Sequence, residues 1–197
     1  MLQLPRLMLV TQRERMRPDF FGALEAALRG GARLIQLREK GLSNAEFVAL
    51  ARRAQSLCVQ HGAILLLNNA PNLARTLGVG LHLPESALAV EGEFSPRGVS
   101  VHSLGAARCA VGQGADYLVF GAVFETQTHP GAAPAGLEAL CEVCAAVEVP
   151  IFAIGGITAA NAKTCLAAGA HGVAVIGAAW DAADVEAAVR ELAEIHR

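Results

Sequence analysis

The stretch IFAIGGITAANA, residues 151–162, is an apolar run that ends on two adjacent glycines. The run IFAI predicts a short buried strand, and the residues after the glycines have the composition of a helix. Two glycines at the end of a strand leave no side chains there, which allows a bound group to approach the backbone. We therefore expect a parallel strand whose exit lies against a ligand.

The same unit, a glycine followed by a short apolar strand, recurs along the chain. It is typical of a helix that ends on a glycine and leads into a parallel strand. The unit occurs in GGARLIQL (30–37), HGAILLL (61–67), LGVGLHL (77–83), QGADYLVF (113–120) and AGAHGVAV (168–175). Three more strands are predicted in RLMLV (6–10), RGVSV (97–101) and VPIFAI (149–154).

Eight strands that alternate with helical periodicity favour an α/β fold, a single TIM-type (β/α)8 barrel over residues 1–197. The connections after strands three and four are about a dozen residues each, so we expect short or absent helices there. An open doubly wound sheet is the alternative, but no GxGxxG fingerprint follows the first strand.

Composition excludes several classes of partner. A net charge of −2 and 5% aromatic residues offer neither a basic face nor stacking rings, so we expect no nucleic-acid partner. No stretch approaches the roughly 18 apolar residues of a membrane span, so we expect no membrane partner. The five cysteines are odd in number and favour a reducing cytoplasm over a disulfide framework. A homo-oligomer is compatible with the sequence.

The strand exits carry the candidate site residues, because the active site of a (β/α)8 barrel is built at the C-terminal ends of its strands. Gly155 and Gly156 follow strand seven, and Ile176 and Gly177 follow strand eight. Loops after these two strands commonly hold a phosphate through backbone N–H groups and a helix N-terminus. We predict that these four residues bind phosphate.

A second anion site is predicted in QLREK, where Arg38 and Lys40 point to one side of an extended segment and Glu39 faces away. Arginine binds a diphosphate with two donors, and lysine supplies a point charge. Two anion sites suggest a substrate, or a pair of substrates, with phosphate at both ends. Further substrate-binding candidates at strand exits are Asn68, Asn69 and Ser100.

Seven motifs resemble, in order and spacing, the thiamine phosphate synthase and thiazole tautomerase superfamily: QLREK, LLLNN, GLHL, GVSVHS, DYLVFGAVFETQTHPGA, VPIFAIGGITAANA and AGAHGVAVIGAA. The resemblance covers about residues 7 to 190 and implies a TIM-type barrel with a phosphorylated thiazole as its small-molecule partner. It also implies substrate contacts from Thr126, Thr128 and His129, although His129 stands where the synthases have lysine.

The two branches of the superfamily differ in their metal requirement. The resemblance implies that a synthase joins hydroxymethylpyrimidine diphosphate to thiazole phosphate with Mg²⁺ carried by two aspartates, whose positions here are Asn69 and Ala87. An amide and a methyl group do not replace two carboxylates on this cation, so loss of diphosphate should be slow. Glu85 or Glu125 is the alternative source of a carboxylate.

Glu125 in FETQT is more similar to the tautomerase branch, which moves a proton without a metal and needs an acid and a base. The histidine of that branch corresponds to Ala122, so we predict a replacement base at His102, with His82 and His129 as alternatives and Glu125 as a further catalytic candidate. The favoured function is a thiazole tautomerase-like isomerase with no metal or cofactor. The alternatives are a divergent thiamine phosphate synthase, which would use Mg²⁺, and a regulatory barrel that binds thiazole phosphate without chemistry.

Overall fold

Eight parallel strands close into a barrel in chain order, and the last strand pairs with the first. The computed structural model describes residues 3–87, 90–127, 131 and 133–195. Every predicted strand is present close to its predicted position, so the TIM-type fold is confirmed. The strands are β1 (Leu7–Val10), β2 (Leu34–Leu37), β3 (Ile64–Asn68), β4 (Gly80–Leu83), β5 (Arg97–Val101), β6 (Tyr117–Phe120), β7 (Ile151–Ile154) and β8 (Gly172–Val175).

Helices cover the outside of the barrel. They are α1 (Phe20–Arg29), α2 (Asn44–Gln60), α3 (Pro71–Leu77), α4 (Leu104–Gly112), α5 (Gly136–Ala146), α6 (Ala162–Ala167), α7 (Gly177–Trp180) and α8 (Val185–Glu194). As predicted, the helix after β3 is short, and in the described residues after β4 the chain makes only a 3-10 turn at Glu85–Ala87. Within the described chain, no helix combines the length and the apolar character needed to cross a membrane.

Local sequence signals explain where the longer helices begin. Asp19, Ser43, Ser103 and Asp184 each stand just before a helix, and their side chains accept hydrogen bonds from backbone N–H groups of the first turn. At α2 the cap is reciprocal, because the Glu46 side chain also accepts from the Ser43 backbone N–H. Each cap satisfies donors that a helix leaves unpaired, which is worth about 1 kcal/mol.

Two apolar layers hold the barrel together. The larger layer packs between the strands and the helices, and the smaller one fills the barrel interior. Side chains of a strand alternate between these layers, because successive residues point to opposite faces. The interior layer consists of Leu4, Met8, Val10, Leu34, Leu66, Tyr117, Val119, Phe152 and Ala174.

The inward face changes character near the strand exits. Two residues beyond interior Leu34 and Leu66, the same faces of β2 and β3 carry polar side chains, and β4 and β5 do likewise. The inward polar residues are Gln36, Asn68, His82 and Ser100. The barrel therefore presents a polar half-circle from β2 to β5 and an apolar one from β6 through β8 to β1.

Candidate active site

A cavity of about 620 Å³ opens at the C-terminal ends of the strands, where the sequence predicted the site. Its walls come from the strand exits around the ring and from the loop after β4. Most of the predicted site residues are brought together here. The predicted residues that line the cavity are Arg38, Lys40, Asn68, Ser100, His102, Glu125, Thr126, Gly155, Gly156, Ile176 and Gly177.

The loop after β7 presents bare backbone to the cavity. Gly155 and Gly156 have φ angles of 100° and 64°, which favour glycine. A Cβ atom on Gly156 would lie 2.2 Å from the carbonyl oxygen of Glu125, so the loop has no room for a side chain there. In the described part of the chain, the N–H groups of Gly156 and Ile157 donate to no acceptor. They are therefore available to a ligand.

Asn161 holds this glycine loop in shape. Its Nδ2 donates to the carbonyl oxygen of Gly156 at 3.0 Å, and its Oδ1 accepts from the N–H of Thr158 at 2.8 Å. The helices that follow β7 and β8 have only six and four residues. The sequence predicted that backbone N–H groups and a helix N-terminus together bind phosphate at these exits. The loop supplies such N–H groups, the two helices are short, and phosphate binding here stays a prediction.

The β2 exit carries two cations and a carboxylate into the same cavity. Arg38 and Lys40 line it as predicted, but Glu39 lines it too. The prediction that Glu39 faces away is wrong, because β2 ends at Leu37 and strict alternation stops there. The pKa of Glu39 is raised, and burial is the main cause. Hydrogen bonds from Thr11 and from the Arg13 backbone N–H act in the opposite direction but are outweighed.

His82 is buried inside the barrel rather than placed in the cavity wall. Only 1% of the residue is exposed. Its Nδ1 lies 3.0 Å from the Tyr117 hydroxyl and its Nε2 lies 2.8 Å from the Ser100 hydroxyl. Burial, with a smaller contribution from the Arg38 charge, lowers the pKa of His82 to about 3. A neutral, enclosed imidazole orients Ser100, whereas a catalytic base would have to reach the substrate.

The other catalytic candidates sit at the rim or in the loop after β6. His102 lies just beyond the end of β5, with 67% of its side chain exposed, and its Nδ1 is 2.9 Å from Glu85 Oε2. Glu125 and Thr126 line the cavity. The predicted substrate residues Thr128 and His129 lie outside the described residues.

The exits of β3 and β4 do not fit the Mg²⁺ that the resemblance implies for a synthase. Asn69 is exposed, has a φ of 51° and is not part of the cavity lining, and its substrate contact stays a prediction. Ala87 offers no donor atom, and the Glu85 carboxylate faces His102. Across the described ranges, no group of three or more His, Cys, Asp or Glu residues could hold a metal ion.

Two charged cavity residues were missed by the sequence interpretation, Arg15 and Asp181. Arg15 closes a 3-10 turn after β1, and Asp181 follows α7. Their side chains form an ion pair across the cavity wall. Arg15 could have been found, because it follows the exit of β1, whereas nothing local in the sequence indicates its partner.

Fold and cavity together define a class of protein: a (β/α)8 barrel with a polar ligand site at its strand exits. The family model described as thiamine monophosphate synthase matches residues 7–179, and the chain therefore belongs to that family.

Named relatives agree with this assignment. The chain is 43% identical over 175 residues to a thiamine-phosphate synthase of Marinobacter nauticus, covering 84% of this chain and 78% of the relative. It is 41% identical over 188 residues to one of Acidithiobacillus ferrooxidans, covering 88% and 85%. The structure of a thiamine phosphate pyrophosphorylase from Pyrococcus furiosus superposes with a TM-score of 0.86 at 33% identity, covering 97% of this chain and 95% of that one.

These comparisons overturn the tautomerase interpretation. The relatives carry the synthase name and the similar structure is a pyrophosphorylase, so the assignment to the tautomerase branch and to an isomerase was wrong. That assignment depended on Glu125 in one loop and on the missing carboxylates at Asn69 and Ala87, whereas the family match extends over most of the chain.

Proposed function

We propose that this chain is a thiamine-phosphate synthase, which joins a phosphorylated thiazole to a hydroxymethylpyrimidine diphosphate. The observation that carries the proposal is the pairing of two anion-binding features in one cavity. The glycine loop after β7 presents unpaired N–H groups, and Arg38 and Lys40 at β2 present side-chain cations. The names of relatives at 41% and 43% identity support the same activity.

The order of the strands around the barrel suggests where each of the two anionic groups binds. In the closed ring, β2 is followed by β1, β8 and β7, so one strand separates the cation pair from the β8 exit. We assign the thiazole monophosphate to the β7 and β8 exits, where bare backbone can surround three phosphate oxygens. We assign the diphosphate to Arg38 and Lys40, because a guanidinium and an ammonium group together match its charge.

The chemistry then follows from these positions. The thiazole ring nitrogen forms a bond to the methylene carbon of the pyrimidine, the carbon–oxygen bond to the diphosphate breaks, and the diphosphate leaves with the bonding electrons. Arg38 and Lys40 stabilise the charge that develops on the leaving group. The uncharged Gln36 and Ser100 on the inward polar face hydrogen-bond the pyrimidine, and the cavity holds the two reactants in contact.

No step of this scheme is routed through a metal ion, because Asn69 and Ala87 do not supply the carboxylates that Mg²⁺ requires. The same two residues favour a second candidate function, a barrel that binds thiazole phosphate without coupling it. Both candidates require the phosphate site at β7 and β8, and they differ only in turnover.

A coupling assay separates the two candidates. Purified protein is mixed with thiazole phosphate and hydroxymethylpyrimidine diphosphate, and thiamine phosphate and released diphosphate are quantified by mass spectrometry. The synthase proposal expects both products in equal amounts, with formation reduced in Arg38→Gln. Binding of thiazole phosphate with no product would establish the non-catalytic barrel. Absence of both binding and product would overturn both candidate functions.

A further inference from the structure

Arg15 reaches the cavity beside the β8 exit. Its Nη1 would lie 3.5 Å from a Cβ atom built on Gly177, and the side chain is 26% exposed. Two neighbours fix the guanidinium, because Nε donates to Gln12 Oε1 at 3.0 Å and Nη1 forms an ion pair with Asp181 Oδ2. The head group is therefore held in one orientation at the cavity wall.

The guanidinium of Arg15 has N–H donors that these two contacts do not use. An arginine carries five N–H groups, and the contacts to Gln12 and Asp181 use one on Nε and one on Nη1. Over the described parts of the chain, the Arg15 side chain makes no other hydrogen bond. The second hydrogen on Nη1 and both hydrogens on Nη2 remain for another acceptor, and Arg15 is part of the cavity lining.

The charges of the residues at the β8 exit indicate that this acceptor is an anion. The arginine and lysine side chains of the described lining are Arg15, Arg38 and Lys40, and the last two belong to the β2 exit. The β8 exit itself contributes apolar residues and the Asp181 carboxylate, which repels a phosphate. Arg15 offsets that negative charge. Arg15 follows β1, and β1 pairs directly with β8.

We propose that Arg15 binds the phosphate of the thiazole ligand at the β8 exit, and that Gln12 and Asp181 position its guanidinium. The assignment rests on the proposed function, which places this phosphate at the β7 and β8 exits. Asp181 acts as a positioning residue with two opposing effects: it orients Arg15, and its own charge opposes the phosphate.

Calorimetric titration with two ligands tests the assignment. Thiazole phosphate and the corresponding thiazole alcohol differ only in the phosphate, so their affinity ratio reports contacts to that group. Arg15→Gln is expected to weaken the binding of thiazole phosphate about tenfold, which is the usual effect of losing a charge-assisted hydrogen bond. The affinity for the alcohol should change less than about twofold. Arg190→Gln, on the outer face of α8, removes the same charge as a matched control and should leave both affinities unchanged.

Equal weakening of both ligands in Arg15→Gln would show a merely structural role and overturn the inference, as would no change in either. Asp181→Asn gives an independent arm that keeps an oxygen acceptor for Arg15. This variant removes the repelling charge and should increase the affinity for thiazole phosphate about threefold or more. Unchanged or weaker binding would overturn the inference. An unmodified chain that binds phosphate and alcohol equally would instead overturn the proposed phosphate site itself.

Discussion

The Nε2 atom of His82 lies 2.8 Å from the hydroxyl oxygen of Ser100, and this contact joins the buried interior to the cavity wall. On the other side of the ring, Nδ1 lies 3.0 Å from the Tyr117 hydroxyl. Tyr117 is fully buried, and in the described chain its hydroxyl has no other hydrogen-bond partner. The phenol therefore donates to Nδ1, Nε2 donates to Ser100, and the Ser100 hydrogen is free to point into the cavity.

The stability of the protein should depend on pH through His82. Its pKa is about 3 in the folded chain, below the ordinary value of 6.5 that it regains on unfolding. Between these values the unfolded state binds the proton and the folded state does not, so stability is complete above pH 6.5 and is lost as the pH falls. The expected slope approaches about 1.4 kcal/mol per pH unit.

Urea unfolding between pH 7 and pH 5 measures this slope. His82→Gln should lower stability at pH 7 and flatten the slope, because the titrating group is gone. Glu39 acts with the opposite sign, since its raised pKa adds stability that is lost as the pH rises. It is present in both proteins, so the difference between them isolates His82. The same slope in both proteins would refute the assignment.

Gly156 should be intolerant of even a methyl group. Gly156→Ala places a Cβ atom 2.2 Å from the Glu125 carbonyl oxygen at a φ of 64°. We expect a loss of about 1–3 kcal/mol of stability and at least about tenfold weaker binding of thiazole phosphate. Gly105→Ala is the control, because its Cβ would meet nothing within 4 Å. Thermal unfolding and calorimetry check both variants, and unaltered phosphate affinity in Gly156→Ala would remove the β7 loop from the site.

Lys40 should matter more to a diphosphate than to a monophosphate. Replacing it with glutamine removes one cation of the β2 pair, and we expect about tenfold weaker binding of inorganic pyrophosphate and less than about twofold weaker binding of inorganic phosphate. Lys163→Gln, at the other lysine of the chain, is the matched control. If pyrophosphate binds Lys40→Gln as tightly as the unmodified protein, the diphosphate does not lie at the β2 exit.

Mg²⁺ should have little effect on ligand binding by this chain. Pyrophosphate affinity in Mg²⁺ and in EDTA is expected to differ less than about twofold, because Asn69 and Ala87 supply no carboxylate. The double variant Asn69→Asp, Ala87→Asp should gain Mg²⁺-dependent tightening of about tenfold or more. Aspartate tolerates the φ of 51° at position 69, so the backbone need not change. Strong tightening by Mg²⁺ in the unmodified protein would contradict the prediction.

The fold was predictable because its signals are local. Every strand is a short apolar run, five of the eight follow a glycine, and side-chain alternation is enough to place Ser100 on the inward face of β5. The cavity follows from the same topology, since parallel strands in a barrel bring all their exits to one end. This explains why eleven predicted residues line one cavity.

The remaining features depend on contacts between distant segments. His82 meets the Tyr117 hydroxyl because Gly98 leaves room for the Tyr117 ring, which would lie 1.9 Å from a Cβ atom at that position. Arg15 meets Asp181 across 166 positions of the chain. No periodicity or spacing encodes such pairs, and the branch of the family could not be decided from Glu125, Asn69 and Ala87 alone.

The most direct test of the two-anion site is the crystal structure of the protein with thiazole phosphate and pyrophosphate bound together. We predict the monophosphate against the N–H groups of Gly156 and Ile157 and beside Gly177 and Arg15, with pyrophosphate on Arg38 and Lys40. A monophosphate bound at the β2 exit, or both anions outside the cavity, would contradict the proposed function.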